Sequence, residues 1–385
     1  MGAAGVRLRA AAVAVAAAAA FLGPGHAAYA EEPDVVGGSM LASKSTVRAA
    51  SAPQLPRVTA QGWVVADADT GAVLAARNAH GRYLPASTMK TLTAVALLDS
   101  GIDLTRKYAA TQTDANIEGS KVGLVAGTKY SVGKLMEAML VVSGNDAAHA
   151  LAGANGGMTK TVAQMNATAK RLQAYDTVAR NTSGLDADGQ LTSAYDLALI
   201  AREGFKNATF RKYSTTLRSH MPAPGGKRFE IYNHNKLLTR YRGAVGVKTG
   251  YTIAARHTYV GAATRGGRTL IVTLLKTETM YPDAIALLDW GFQAGAKAAP
   301  VGRLVDPVVP EEERADRSRL VPNAAPATPA PVLRASGGRT GRGYVPLAGG
   351  IAAAGGLVVL RRRAVRRRYG YRAGGGAPKL KLPVR

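Results

Sequence analysis

Apolar residues recur along the chain with two different periods. Gly62-Trp63-Val64-Val65-Ala66-Asp67 is a nearly continuous apolar run, and Asp69-Thr70-Gly71 behind it is a turn signal. Residues 72–77 then read as a returning strand. The period changes after Pro85. Met89, Leu92, Ala96 and Leu97 recur at helical spacing, and Ser87 stands where an N-cap or first-turn residue belongs. Leu135, Met136, Met139 and Leu140 mark a second helix after Ser131, which stops at Ser143-Gly144-Asn145. Asp146-Ala147-Ala148 opens another helix. Met158, Val162, Met165, Ala169 and Leu172 trace an amphipathic helix, and residues 192–205 one more.

Strand patterning returns at 244–252, 257–264 and 269–276. Arg265-Gly266-Gly267-Arg268 joins the last two as a hairpin, and 282–292 reads as a closing helix. Strands, helices, strands and a helix, in that order, predict a single α+β domain over 57–296. Both ends of this segment build its antiparallel sheet, and helices are inserted between them.

The flanks have other patterns. Residues 1–30 carry Arg7 and Arg9, an apolar run from 10 to 22, and Ala28-Tyr29-Ala30, the form of a secretory signal. Residues 31–56 lack periodicity and read as a flexible lead-in. Seven prolines between 300 and 331 make 297–343 a semi-rigid spacer. Residues 344–360 hold no charge and precede Arg361-Arg362-Arg363, which reads as a short transmembrane helix with a basic cytoplasmic tail, 361–385. The expected protein is therefore exported, anchored in the membrane by its C-terminal helix, with the domain on the wall side.

Composition narrows the chemistry. The chain has 385 residues and no cysteine, which excludes disulfides, thiolate catalysis and cysteine-ligated zinc. The six histidines never fall in a metallopeptidase pattern, so no metal and no cofactor are expected. The net charge is +25, of which the tail from Arg361 to Arg385 contributes +10. The remaining +15 suits a polyanionic neighbourhood. No motif for nucleic acid accompanies it, so none is expected as a partner.

Ser87 and Lys90 lie three residues apart at a helix start and share a face. A serine beside a lysine amine, at the positive end of a helix, can be a nucleophile with its base attached. Read alone, the pair is more simply a capped helix with a solvated lysine, and Ser131-Val132-Gly133-Lys134 repeats the spacing.

Three motifs in fixed order separate the two: Ser87-x-x-Lys90, Ser143-Gly144-Asn145 and Lys248-Thr249-Gly250. Together they resemble the penicillin-recognising serine enzymes. Ser143-Gly144-Asn145-Asp146-Ala147-Ala148, Asn181-Thr182-Ser183-Gly184-Leu185-Asp186, Tyr232-Asn233-His234-Asn235-Lys236-Leu237-Leu238 and Gly246-Val247-Lys248-Thr249-Gly250-Tyr251-Thr252 narrow the resemblance to the low-molecular-mass D-alanyl-D-alanine carboxypeptidases. It spans about 57–295 and gives Ser131 and Lys134 no partners.

The resemblance implies a β-lactamase/transpeptidase-like fold and a peptidoglycan stem peptide as substrate. Ser87 would form an acyl-ester and Lys90 would take its proton. Ser143 would relay a proton to the leaving amine. Asn145 would hold Lys90 and donate to the substrate amide. Lys248 and Thr249 would bind the terminal carboxylate, and Gly250 would let the substrate backbone lie against the strand. The amides of Ser87 and Tyr251 would form the oxyanion hole. β-Lactams are expected as covalent inhibitors. Residues 138–202 contain no glutamate to activate a deacylating water, so the penicilloyl ester should persist. The same motifs serve a cross-link endopeptidase, and a wall or β-lactam sensor would share the binding residues. Arg256 departs from the family pattern and reads as solvated.

Overall fold

The strand at 62–67 is buried at every position, which requires cover on both faces of its sheet. The computed structural model describes residues 35–294 and 298–308. Its elements run β1 (Thr46–Arg48), β2 (Gly62–Asp67), β3 (Ala72–Arg77), α1 (Met89–Asp99), β4 (Lys107–Ala109), α2 (Gln112–Asn116), β5 (Lys129–Ser131), α3 (Val132–Val141), α4 (Asn145–Ala154), α5 (Met158–Arg171), α6 (Ala194–Lys206) and α7 (Ala208–Thr215). Then follow β6 (Arg218–Pro222), β7 (Arg228–Tyr232), α8 (Leu237–Arg240), β8 (Ala244–Thr252), β9 (Arg256–Arg265), β10 (Arg268–Thr277), α9 (Met280–Ala294) and β11 (Gly302–Arg303).

The main sheet is antiparallel, in the order β1-β3-β2-β10-β9-β8, with β11 also paired to β3. It is built from both ends of the domain, as the pattern predicts. β2 from the first half pairs with β10 from the second, Gly62 opposite Leu275 and Asp67 opposite Leu270. Gly266 and Gly267 both have positive φ, 59° and 80°, which suits the two-residue β9–β10 turn.

Side chains alternate across β2. Trp63 and Val65 join Leu270, Val272, Leu287 and Leu288 under α9. Val64 and Ala66 join Val260, Ile271, Leu92 and Ala198 on the helical side. α1 is buried from Met89 to Leu97, so its apolar residues surround the whole helix instead of forming one stripe. Each fully buried Leu or Met there contributes roughly 1.5–3 kcal/mol. Helix α1 is thereby held rigidly in the core, and its N-terminal end meets β8 and β9.

Both flanks of the domain differ from expectation. The predicted lead-in supplies β1 and buries Leu41. The first residues of the predicted spacer supply β11 and bury Val301 and Leu304. These strands have two or three residues, too few to show a period, yet they cover the open edge of β3. The folded unit therefore extends beyond 57–296 on both sides. The signal segment, most of the spacer, the apolar span at 344–360 and the basic tail lie outside the described residues. Among the described residues, no helix is long and apolar enough to cross a membrane.

Candidate active site

Ser87 does not cap α1. It lies in a single 3-10 turn, Ala86–Thr88, that precedes the helix. Ala86 is held at φ 46°, a left-handed conformation that costs a non-glycine residue about 1–3 kcal/mol. The turn is fixed from both sides. Thr88 Oγ1 and Thr258 Oγ1 both donate to the Pro85 carbonyl, at 2.5 and 2.8 Å. Gly184 packs so closely that any Cβ there would stand 1.8 Å from the Ala86 carbonyl oxygen.

The helical phase of α1 brings Lys90 Nζ to 2.9 Å from Ser87 Oγ. Lys90 is fully buried, and its amine also donates to Asn145 Oδ1 and to the Ser183 carbonyl, each at 2.6 Å. Burial, helped by the charge of Lys248, pushes its pKa well below the ordinary lysine range. The partner set fits the neutral amine. A neutral amine has two N–H donors and one lone pair. Asn145 Oδ1 and Ser183 O only accept, so they take the two hydrogens and leave the lone pair for the Ser87 hydroxyl. Asn145 Nδ2 donates to the Glu118 carbonyl at 2.7 Å, which fixes the orientation of the amide.

Ser143 and Asn145 sit at the corner between α3 and α4. Ser143 is buried and left-handed, with φ 62°. This second strained non-glycine position lies two residues from the lysine's partner. Asp146 follows Asn145 and is fully buried. Its carboxylate accepts the amides of Val122, Gly123 and Leu124 at 2.9, 2.8 and 3.1 Å.

β8 closes the other side. Lys248 is almost fully buried, its Nζ donates to the Thr249 carbonyl at 2.7 Å, and burial lowers its pKa to about 7. Its charge also helps push down His234, whose first cause is burial. Gly250 has a physical reason beside the one expected. A Cβ there would lie 2.8 Å from the Ser87 amide nitrogen and 3.0 Å from that of Thr88, so glycine gives room to the nucleophile's own turn. Tyr251 is half exposed on the strand, its ring 4.8 Å from that of His257. Thr252 Oγ1 donates to Asp186 Oδ1 at 3.0 Å, tying the loop that carries Ser183 to the end of β8. Arg256 is half exposed and lies 3.7 Å from Glu278.

Segments distant in sequence, at 87–90, 145, 183 and 248–250, thus meet around one serine hydroxyl and one buried amine. A family model for D-alanyl-D-alanine carboxypeptidases matches residues 47–279. The chain belongs to the D-alanyl-D-alanine carboxypeptidase family. It is 41% identical over 266 residues to D-alanyl-D-alanine carboxypeptidase DacB2 of Mycobacterium tuberculosis, covering 67% of this chain and 90% of that protein. It is 30% identical to the D-alanyl-D-alanine carboxypeptidase of Streptomyces sp. strain K15, covering 63% of this chain and 90% of the relative. The crystal structure of a D-alanyl-D-alanine carboxypeptidase from Mycobacterium tuberculosis superposes with a TM-score of 0.63 at 40% identity, covering 68% of this chain and all of that one. The Streptomyces K15 DD-transpeptidase superposes at 0.60 and 29% identity, covering 63% of this chain and all of that one.

This carboxypeptidase is a serine-type hydrolase of the penicillin-binding fold, with mixed helices and antiparallel sheet. Sequence reasoning missed three contributors to its site: the carbonyls of Glu118 and Ser183, and the anchoring carboxylate of Asp146. Ser183 and Asp146 lie in stretches already quoted for the resemblance. A carbonyl's role cannot be read from the side chain at its position. A cavity of about 600 Å³ between Arg202, Phe205, Lys206, Val245 and Thr264 lies elsewhere and includes none of the catalytic candidates.

Proposed function

We propose that this protein removes the terminal D-Ala from peptidoglycan stem peptides through an acyl-enzyme on Ser87. The observation that carries the reading is the buried Lys90 amine, depressed in pKa, 2.9 Å from Ser87 Oγ. Ser87 Oγ attacks the carbonyl of the penultimate D-Ala as its proton passes to Lys90. The tetrahedral oxyanion faces the amides of Ser87 and Tyr251. Collapse breaks the peptide bond, and the proton returns to the leaving D-Ala amine through the Ser143 hydroxyl. Water then attacks the ester as Lys90 takes its proton, and that proton passes to Ser87 Oγ as the ester bond breaks and the trimmed peptide leaves. Neither step obliges the lysine to change partners, because both its charged and neutral forms satisfy the same three oxygens.

Lys248 and Thr249 receive the terminal carboxylate. A buried ammonium pairs strongly with an incoming anion, and that anion in turn keeps Lys248 charged. Penicillins present a carboxylate and a strained acyl bond to the same groups and acylate Ser87. The absence of glutamate from residues 138–202 supports a long-lived ester. The N-terminal apolar run and the uncharged span before the arginines support export and a C-terminal membrane anchor.

Full-length protein in detergent is incubated with a fluorescent penicillin and with a pentapeptide ending in D-Ala-D-Ala. Mass spectrometry should find one adduct, on Ser87, together with released D-Ala. Labelling of Ser131, or unchanged labelling of Ser87→Ala, overturns the assignment. Adduct without D-Ala release would indicate a sensor. Deleting residues 343–385 should move the protein from the membrane to the soluble fraction; retention in the membrane would overturn the anchor.

A further inference from the structure

Away from Ser87, three chain segments bring His80, Asp176 and Asp196 together. His80 follows β3, Asp176 follows α5, and Asp196 lies in the first turn of α6. One ligand atom from each falls within 4.8 Å of the other two. His80 Nε2 lies 3.0 Å from the Val36 carbonyl, and His80 Nδ1 lies 2.8 Å from Asp176 Oδ2. The carbonyl can only accept, so Nε2 carries a hydrogen. In the neutral ring, Nδ1 then turns a lone pair toward a carboxylate oxygen. A positive charge has to stand between them, either a proton or a metal ion.

Asp196 separates these two cases. It is 1% exposed. One oxygen accepts the Thr177 hydroxyl at 2.7 Å, and the other, Oδ1, is buried without any partner among the described residues. Asp176 also accepts Arg82 Nε at 3.2 Å, from a side chain that is mostly exposed. A proton on His80 satisfies Asp176 and leaves Asp196 Oδ1 with nothing. An orphaned carboxylate oxygen at such depth is costly. A divalent cation would meet the lone pair and both carboxylates at once and balance their charges.

We propose that His80 Nδ1, Asp176 and Asp196 form a structural zinc site. One imidazole nitrogen and two carboxylate oxygens suit zinc better than calcium or magnesium, which favour all-oxygen shells. The Val36 carbonyl orients the imidazole through Nε2, the outer-shell arrangement usual for metal-bound histidine. The bound ion fastens three segments at once: the turn after β3, the loop after α5 and the start of α6. Val36, held through the same ring, ties in the N-terminal segment as well. This role is separate from the hydrolytic reaction.

The test uses the full chain without a polyhistidine tag, stripped with EDTA and titrated with zinc chloride in a calorimeter. About one equivalent should bind, and the thermal unfolding midpoint should be higher in zinc than in EDTA. Asp196→Asn keeps an acceptor for Thr177 but removes the ligand charge, and His80→Gln removes the ring nitrogen. Each variant should keep the wild-type circular dichroism spectrum and lose the tight equivalent. If one variant fails to fold, the other carries the test. No zinc binding by the wild type, or binding by the folded variants equal to wild type, overturns the site.

Discussion

Ser87–Lys90 and Ser131–Lys134 share one spacing, but their lysines end in different surroundings. Lys90 is fully buried, and its hydrogen-bond partners among the described residues are a hydroxyl, an amide oxygen and a carbonyl. Lys134 is about one-third exposed and donates to Glu137 Oε2 at 2.6 Å and to Ser219 Oγ at 2.9 Å. Ser131 is an ordinary N-cap whose side chain accepts the Lys134 amide at 3.3 Å. Burial among neutral acceptors favours release of the Lys90 proton. Among the described residues the Ser131 hydroxyl makes no bond to the Lys134 amine, so only the first pair has the contact that a nucleophile and its base need.

The sharpest way to break this contrast is to remove each serine. Ser87→Ala should abolish penicillin labelling. Ser131→Ala should leave labelling intact and lower stability by about 1 kcal/mol, the usual cost of losing a cap. Fluorescent labelling beside urea denaturation reads both. The lysines come next. Lys90→Met should slow acylation by roughly 10²- to 10⁴-fold, the range for a lost general base. Lys134→Ala should leave the acylation rate unchanged and alter stability by about 1 kcal/mol or less. Stopped-flow acylation of the four variants would reverse the ranking of the two pairs if the reading is wrong.

A smaller effect separates Gly250 from glycines in ordinary turns. Gly250→Ala places a methyl 2.8 Å from the Ser87 amide nitrogen and 2.4 Å from Thr258 Oγ1. Overpacking of this kind costs roughly 1–3 kcal/mol. The cost falls on the nucleophile's turn, so the acylation rate should drop more than the unfolding midpoint. An alanine variant that acylates at the wild-type rate would show that the turn can retreat without harm.

The pH profile distinguishes the two buried lysines of the site. Lys90 has to be neutral to accept a proton, so activity rises as pH climbs through its depressed pKa. Lys248 has to be charged to receive a carboxylate, and burial brings its pKa to about 7. For free enzyme, kcat/KM on a D-Ala-D-Ala peptide should therefore fall above about pH 7. A peptide with its terminal carboxylate amidated should be a poor substrate and should lack that alkaline limb. The same limb in both peptides would remove Lys248 from carboxylate recognition.

Much of this was legible in the sequence where side-chain identity carries the information. The period changes located the strands at 62–67, 72–77, 244–252, 257–264 and 269–276, and two glycines located the hairpin turn. The motifs singled out Ser87, Lys90, Asn145 and Lys248, which the structure brings to one site. What stayed illegible has three physical origins. β1 and β11 are too short to show a period. Ser183 and Glu118 act through carbonyls, which every residue possesses. Ser87 was expected as an N-cap or first-turn residue of the helix, but the strained Ala86 and the packing of Gly184 and Gly250 form a separate turn before it, and that turn depends on tertiary contacts.

The smallest expected effect tests how far a carboxylate can act on Lys90 without pairing with it. Asp146 is fully buried, and its charge raises the Lys90 pKa against the larger opposing effects of burial and Lys248. Its carboxylate accepts three amides from residues 122–124, just beyond the segment whose Glu118 carbonyl holds Asn145. Asp146→Asn removes the charge, so the Lys90 pKa should fall further. The acid limb of penicillin acylation should then move to lower pH. The same substitution turns an amide donor toward backbone N–H groups and should cost about 1–3 kcal/mol of stability. Rates of acylation measured across pH separate the two consequences, because lost stability alone lowers the folded fraction without moving the limb. A limb that moves to higher pH would mean that the anion is not what holds the Lys90 pKa up. Lys134 marks the opposite extreme, with Glu137 at hydrogen-bond distance. Asp146 acts on Lys90 as a field without a shared hydrogen bond, which leaves the amine able to lose its proton.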